Sequence, residues 1–205
     1  MSITPFNPDE YDALREIVNI AMGQATTALS TILMNAFVRL SIPQVTIIPV
    51  DQMPEVVSGM IGKAESISAV RQAFYDHLNG EVIVIYGLGG CRNMADLMGY
   101  DEQMDEEKDQ ELLLDVSNIL VGACLNGIAQ QLDMELGYSA PSIIGEKIPV
   151  ENLFSDYDLT WSHALLVNVR AWIEERKFSS HILIFMEEQS TELVRKALDR
   201  LLEGL

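Results

Sequence analysis

Cysteine, histidine and positive charge are all in short supply in this chain of 205 residues. The two cysteines, Cys91 and Cys124, have no CxxC spacing. That argues against a disulfide scaffold and suits a reducing cytoplasm, with both thiols read as small buried hydrophobes. The three histidines, His77, His163 and His181, are scattered. None has a metal-ligand spacing such as HExxH, so each reads as a surface or turn residue and no metal site is expected. Only 13 Lys and Arg oppose 31 Asp and Glu, a formal net charge of −18. Nucleic acid, held mainly by cations on its phosphates, is disfavoured as a partner, and so are anionic membrane surfaces. A protein with basic or metal-bearing spots is the better match. No segment begins like a signal peptide, and no apolar run approaches the ~18 residues of a membrane span, so no membrane insertion is expected.

Signature catalytic loops are missing as well. There is no GxSxG elbow and no cysteine beside an obvious base. Gly59-Met60-Ile61-Gly62-Lys63 has the wrong spacing for a Walker loop and lacks the following Ser or Thr. Gly87-Leu88-Gly89-Gly90 lies between a strand pattern and a helix pattern, where glycine-rich loops can cradle phosphate; a plain tight turn is the preferred reading. Nucleotide-dependent and metal-centred enzymes therefore fall behind.

What the chain does have is a pattern that occurs twice. Asp12-x3-Glu16-x2-Asn19 is followed ninety-nine residues later by Glu111-x3-Asp115-x2-Asn118. Downstream, Gly23 aligns with Gly122 and Ala28 with Gly127, and Pro43 and Pro141 each precede an apolar run. One such triple is a common accident on a solvated helix; two in register, with matching glycines and prolines, are not. A carboxylate and an amide side by side can bind a partner and orient a water molecule, because an amide offers donor and acceptor without charge.

The elements follow the same repeat. Asn7-Pro8-Asp9-Glu10 is a helix start, with Asn7 as cap, Pro8 at the first position and acids at the positive end of the dipole. The helix is expected to run to about Met34. At about 100° per residue, Asp12, Glu16 and Asn19 share an arc of about 60°, opposite Leu14, Ile17, Val18, Ala21, Ala25, Ala28 and Ile32. Small Gly23, Ala25 and Ala28 would let another element approach closely. Residues 44–50 read as a strand, 53–63 as a short helix or turn, and the apolar runs around Asn79-Gly80 as a β-hairpin. Residues 91–99 read as a short helix.

The acidic stretch 101–111 reads as a linker plus the first turn of a second helix. That helix is expected from about Asp105 to Leu136, with Gly137 as its stop. Glu111, Asp115 and Asn118 share one arc, while Leu113, Val116, Leu120, Cys124 and Gly127 face away. Leu114 and Leu125 sit nearer the polar arc; they form either an apolar rim or contacts with a neighbouring element, the second being preferred. Residues 142–150 parallel 44–50, two longer strands follow with Arg176-Lys177 at the turn, and an amphipathic helix capped by Ser190 or Thr191 ends the chain. Its expected stripe is Leu193, Val194, Ala197, Leu198 and Leu201. The expectation is one domain, residues 1–205, built of two half-repeats (about 8–100 and 105–205) with mostly antiparallel strands. At 48% hydrophobic residues there is ample material for a core.

The two motifs, their spacing and the duplication resemble the CheC–CheX–FliY family of chemotaxis phosphatases, and within it the two-site CheC type. That family's signature is Asp or Ser, x3, Glu, x2, Asn, x22, Pro, and EIVNIAMGQATTALS is very similar to its first helix. On this resemblance, which spans nearly the whole 205 residues, the additional switch domain of FliY is not expected within them. The resemblance implies an α/β (α+β) fold: an antiparallel sheet carrying two long, pseudo-two-fold-related helices that display the motifs.

It also implies hydrolysis of the aspartyl phosphate of a CheY-like response regulator. Glu16 and Asn19 would enter the regulator's active site, Asn19 orienting the attacking water and Glu16 contacting a lysine; Asp115 and Asn118 would do the same at the second site. Asp12, Glu111, Pro43 and Pro141 complete the two partner-binding surfaces. The regulator would supply its own Mg2+, leaving this chain with no cofactor of its own. The receptor deamidase CheD is a further possible partner, and a non-catalytic binding module for either protein is the alternative. The spacing from Asn19 to Pro43 is one residue longer than the signature, and Asp115 stands where the signature has Glu. One methylene shortens the reach by roughly 1.3–1.5 Å, so the first site is expected to be the more competent.

Overall fold

A computed structural model of the protein describes residues 5–32, 39–62, 66–87, 94–95, 105–155, 162–173 and 178–203. The glycine-rich loop from Leu88 to Gly90, most of the short helix expected at 91–99, residues 101–104 of the acidic stretch, Cys91 and the Arg176-Lys177 turn lie outside them.

Helix α1 (Pro8–Ile32) begins where the sequence requires. Asn7 Oδ1 accepts from the Glu10 backbone N–H at 2.9 Å, and Glu10 Oε2 accepts from the Asn7 N–H at 2.6 Å. This is a reciprocal capping box. Phe6, before the cap, meets Tyr11 edge-on at 5.5 Å and closes a hydrophobic staple. Leu14, Ile17, Val18, Ala21 and Ala25 are buried as their spacing predicts, and Met22 joins them.

The chain continues through β1 (Arg39–Leu40), β2 (Gln44–Pro49), α2 (Met53–Ile61), β3 (Ile67–Asp76) and β4 (Gly80–Tyr86). The second half gives α3 (Glu106–Gln131), β5 (Leu136–Tyr138), β6 (Ser142–Ile148), β7 (His163–Ile173), β8 (Phe178–Met186) and α4 (Glu188–Glu203). Asp105 caps α3 by accepting from the Lys108 N–H at 2.9 Å.

All strand pairs are antiparallel, and the central order β7-β8-β4-β3 is flanked by β1 and β2 on β7 and by β5 and β6 on β3. Each half's early strands thus pair with the other half's long strand. The dyad runs between β4 and β8, where Ile83 faces Leu183, Val82 faces Ile184 and Val84 faces Ile182. A matching pair of hydrogen bonds confirms the register. Ser41 donates its N–H to Arg170 O and accepts the Arg170 N–H on Oγ, and Ser139 does the same with Ala73.

The sheet is buried on both faces, which explains why β4 and β8 read as continuous apolar runs. Val82, Val84 and Tyr86 face one cluster with the buried sides of α1, α3 and α4; Ile83 and Ile85 face another with Met53 and Val57 of α2. By length and composition alone α3 could cross a membrane, an exception to the expectation that no segment approaches a span, but most of that stretch is buried inside the fold. Leu125 is fully buried and Leu114 packs against the core, so both meet neighbouring elements rather than form a rim.

Several details depart from the sequence reading. Helix α3 stops at Gln131, not Leu136, because Asp133 adopts a left-handed conformation (φ 54°) and closes a Schellman turn. Its N–H donates to Gln130 O, and the Met134 N–H donates to Ala129 O at 2.9 Å. Gly137 lies in β5 instead, where a Cβ would come within 2.2 Å of the Tyr75 ring. Gly80 is likewise inside its strand rather than in the hairpin turn; Asp76 (φ 84°) bends the chain, and a Cβ on Gly80 would meet Phe185 O at 2.1 Å. Neither Ser190 nor Thr191 caps α4. Thr191 Oγ1 donates to Glu187 O and Ser190 Oγ accepts from the Asn79 N–H. Leu193 and Leu201 of the expected α4 stripe are exposed. Gly23 makes no close contact; Gly127 does, against Ala21 of α1.

Candidate functional site

The capping box and staple fix where α1 begins, and its apolar stripe fixes its rotation. Asp12, Glu16 and Asn19 are consequently all exposed, as predicted. The turn into β2 brings Ile42 and Pro43 to the same place. Together Asp12, Arg15, Glu16, Asn19, Ile42 and Pro43 line a shallow groove of ≈ 380 Å³. Pro43 is buried just before the first residue of β2, a position where its missing N–H costs no ladder bond. Asp12 is paired with Arg15 at 3.8 Å, a solvated contact that leaves Glu16 as the unpaired acid of the groove among the described residues. Among those residues Asn19 makes no side-chain hydrogen bond, so both ends of its amide are available.

Glu111, Asp115 and Asn118 are exposed on α3 in the same arrangement, with Pro141 before the first residue of β6. The surroundings differ. Ser117, buried beside Asn118, is hydrogen-bonded to Tyr86 of β4 at 2.7 Å, which ties α3 to the sheet directly beneath the motif. Asn118 Oδ1 accepts from Gln72 Nε2 of β3 at 3.0 Å.

Three exposed apolar residues were missed in the sequence. Ile20 and Ile119 are each about two-fifths exposed, and Ile42 is 70% exposed at the lip of the first groove. A signal existed for two of them. Each follows the motif asparagine directly, so Asn-Ile is repeated with the same offset as the rest of the motif. Exposed isoleucine beside an acid and an amide gives a surface that offers apolar contact together with polar groups.

The three histidines do not converge. His77 is exposed in the β3–β4 turn, and His163 is half-buried at the start of β7. His181, on β8, is hydrogen-bonded to Asn168 at 3.3 Å, and burial, then the nearby Arg170, push its pKa down to about 4. Cys124 is buried, donates to the Met22 sulfur, and its thiol is pushed up to about 12 by burial. It is therefore no nucleophile at neutral pH. Among the described residues no three His, Cys, Asp or Glu side chains gather closely enough to hold a metal ion.

Residues 10–35, which carry the first motif, match the CheC-like family. Over the whole chain the fold is similar to that of FliY from Thermotoga maritima, with TM-score 0.71 and 18% identity, covering 98% of this chain and 100% of that one. The FliM middle domain from H. pylori matches with TM-score 0.61 and 12% identity, covering 94% of this chain and 99% of that one. A third similar structure is CheX from Borrelia burgdorferi, solved as a CheX–CheY–BeF3–Mg2+ complex, with TM-score 0.54 and 12% identity, covering 84% of this chain and 96% of that one. The family match is thus confined to the motif-bearing helix, and what this chain shares with the solved structures over nearly its whole length is the fold.

Proposed function

We propose that this protein is a cytoplasmic phosphatase of a CheY-like response regulator, of the two-site CheC type. The observation that carries this reading is the exposed acid–amide pair on α1, Glu16 with Asn19, set in one groove with Pro43 and Ile42 and repeated on α3. Phosphoryl transfer from an aspartyl phosphate needs placement of a water and little covalent help from the catalyst. Asn19 supplies the placement, because its free amide can both accept from and donate to a water without repelling the phosphoryl group. Glu16 supplies attraction for the regulator's lysine and Mg2+, which offsets the repulsion expected from an acidic protein. Ile20 and Ile42 supply the apolar contact that holds the regulator in register. That CheX has been solved with CheY supports the choice of partner.

The FliM-like fold favours a second reading, a binding module without useful turnover for phosphorylated regulator or for CheD. The two readings separate in one assay: decay of a phosphorylated CheY-type regulator in Mg2+, alone and with the wild-type protein, Asn19→Ala, Asn118→Ala and the double variant. The phosphatase reading expects faster decay, a loss of about 10²-fold at each substituted site, and none left in the double variant. Binding with unchanged decay sinks the phosphatase and leaves the binding module.

A further inference from the structure

We propose that Gln72 is a positioning residue that locks the Asn118 amide with its NH2 group outward, biasing the second site toward donating to phosphoryl oxygen, unlike the first. The functional half of this inference rests on the phosphatase reading; the orientation of the amide does not.

The orientation follows from donor and acceptor counts. Gln72 is 3% exposed, on the face of β3 that meets the helices. Its Nε2 lies 2.8 Å from Ser139 O and 3.0 Å from Asn118 Oδ1. Ser139 O is a backbone carbonyl and can only accept. It is held in place because Ser139 pairs with Ala73 through both its N–H and its Oγ. Turning the Gln72 amide over would set two acceptors against each other at 2.8 Å, so the NH2 end must face Ser139. Its second N–H then points at Asn118, which must answer with its oxygen. Asn118 Nδ2 is left facing outward. Gln72 Oε1, buried without a partner among the described residues, adds no competing restraint.

The first site is built otherwise. Ser41 with Arg170 repeats Ser139 with Ala73, so the residue before Arg170 is the counterpart of Gln72. That residue is Val169, fully buried and without a hydrogen-bonding group. Ser117 and Tyr86 likewise correspond to Val18 and Met186, both apolar and buried. Beneath its motif the first helix rests on apolar groups, with its amide free among the described residues. The second adds polar ties at the same places, with its amide oxygen engaged. An amide whose oxygen is turned onto Gln72 keeps only its second lone pair for the proton of an attacking water, while its NH2 stays free to donate to a phosphoryl oxygen. The second site therefore holds phosphorylated regulator more than it hydrolyses it.

The test is made in the Asn19→Ala protein, where only the second site acts. Gln72→Met removes the donors at nearly constant volume, and Gln72→Val copies the other half should Met pack poorly. The expected result is a several-fold rise in kcat for phospho-regulator decay with a rise in KM; the same substitution in the Asn118→Ala protein should change neither. A kcat that stays level or falls overturns the donor bias. Side-chain amide 15N spectra of the free protein test the lock separately. Gln72→Met should shift the Asn118 NH2 signals and leave those of Asn19 in place, and unmoved Asn118 signals overturn the lock. If the unsubstituted protein has no turnover, the phosphatase reading falls, and these spectra alone decide whether Gln72 sets the amide.

Discussion

Replacing Gly127 with alanine asks whether α1 and α3, the two helices that carry the motifs, really touch through their backbones. A Cβ on Gly127 would lie 2.7 Å from Ala21 Cα, 2.8 Å from Ala21 Cβ and 2.9 Å from Gln24 Oε1. The glutamine can swing away; the Ala21 backbone can yield only if α1 retreats by about 1 Å, since carbon atoms pack at ~3.5–4.0 Å. Overpacking of this kind costs about 1–3 kcal/mol, against which alanine returns about 1 kcal/mol of helix propensity. The net expectation is a loss of about 0–2 kcal/mol. Gly122, on the same helix, has nothing within 4 Å of its Cβ position, so Gly122→Ala should gain about 0.5–1 kcal/mol. The same substitution five residues apart should therefore act with opposite sign. At roughly 2–4 °C per kcal/mol for a chain of this size, the two melting temperatures should stand about 1–12 °C apart, with Gly122→Ala the higher. Urea unfolding checks the difference through the midpoint at unchanged slope. Equal stabilisation by both substitutions would refute close helix contact at Gly127.

The remaining expectations concern single side chains. Asp115→Glu, made in the Asn19→Ala protein, should raise second-site turnover by restoring the missing reach; an unchanged rate removes side-chain length as the cause of attenuation. The His181 pKa of about 4 lies below its ordinary 6.5, first through burial and then through Arg170. The folded state thus binds fewer protons than the unfolded state between those values. Stability should be free of this effect above pH 6.5 and fall as pH drops toward 4, by about 1–2 kcal/mol after discounting for solvent contact, and His181→Asn should flatten that part of the urea-midpoint profile. Cys124, buried with a thiol pushed up to about 12, should resist iodoacetamide at pH 8 in the folded protein and react fully in urea, as read by peptide mass spectrometry; rapid labelling without denaturant would contradict the burial.

Much of the fold was legible because it rests on period and punctuation. The 3.6-residue spacing of Leu14, Ile17, Val18, Ala21 and Ala25 dictates both the existence of α1 and its outward face, and with them the exposure of Asp12, Glu16 and Asn19. The parts that misled are those where tertiary contact decides. Gly137 and Gly80 look like a helix stop and a turn, yet each is glycine because an aromatic ring or a carbonyl lies across the strand. The actual stop of α3 is Asp133, a residue whose left-handed conformation has only a weak sequence signal. Strands β1 and β5 hold two and three residues, too few for any alternation to show. Gln72 was invisible for a different reason. In an apolar strand pattern one glutamine breaks the alternation only locally, and nothing in the sequence says that it lies under Asn118.

Duplication explains why the legible and illegible parts divide as they do. Two halves that exchange their early strands must keep the register of the shared sheet, because a slip of one residue turns every side chain to the opposite face. Hence Ser41 and Ser139 make the same bonds, and Ile83 and Leu183 meet at the dyad. No such demand acts on the groups beneath each motif, provided they fill equivalent space. Val18 can become Ser117 if Met186 has become Tyr86, since the hydroxyls then satisfy each other at 2.7 Å. Val169 can become Gln72 if Ser139 O and Asn118 are there to receive its N–H groups. Each exchange is tolerable only as a set, and each acts on the rotation of α3 or the orientation of its amide, not on the exposed triple itself. Two sites with nearly the same motif can therefore differ in chemistry through residues that no motif contains.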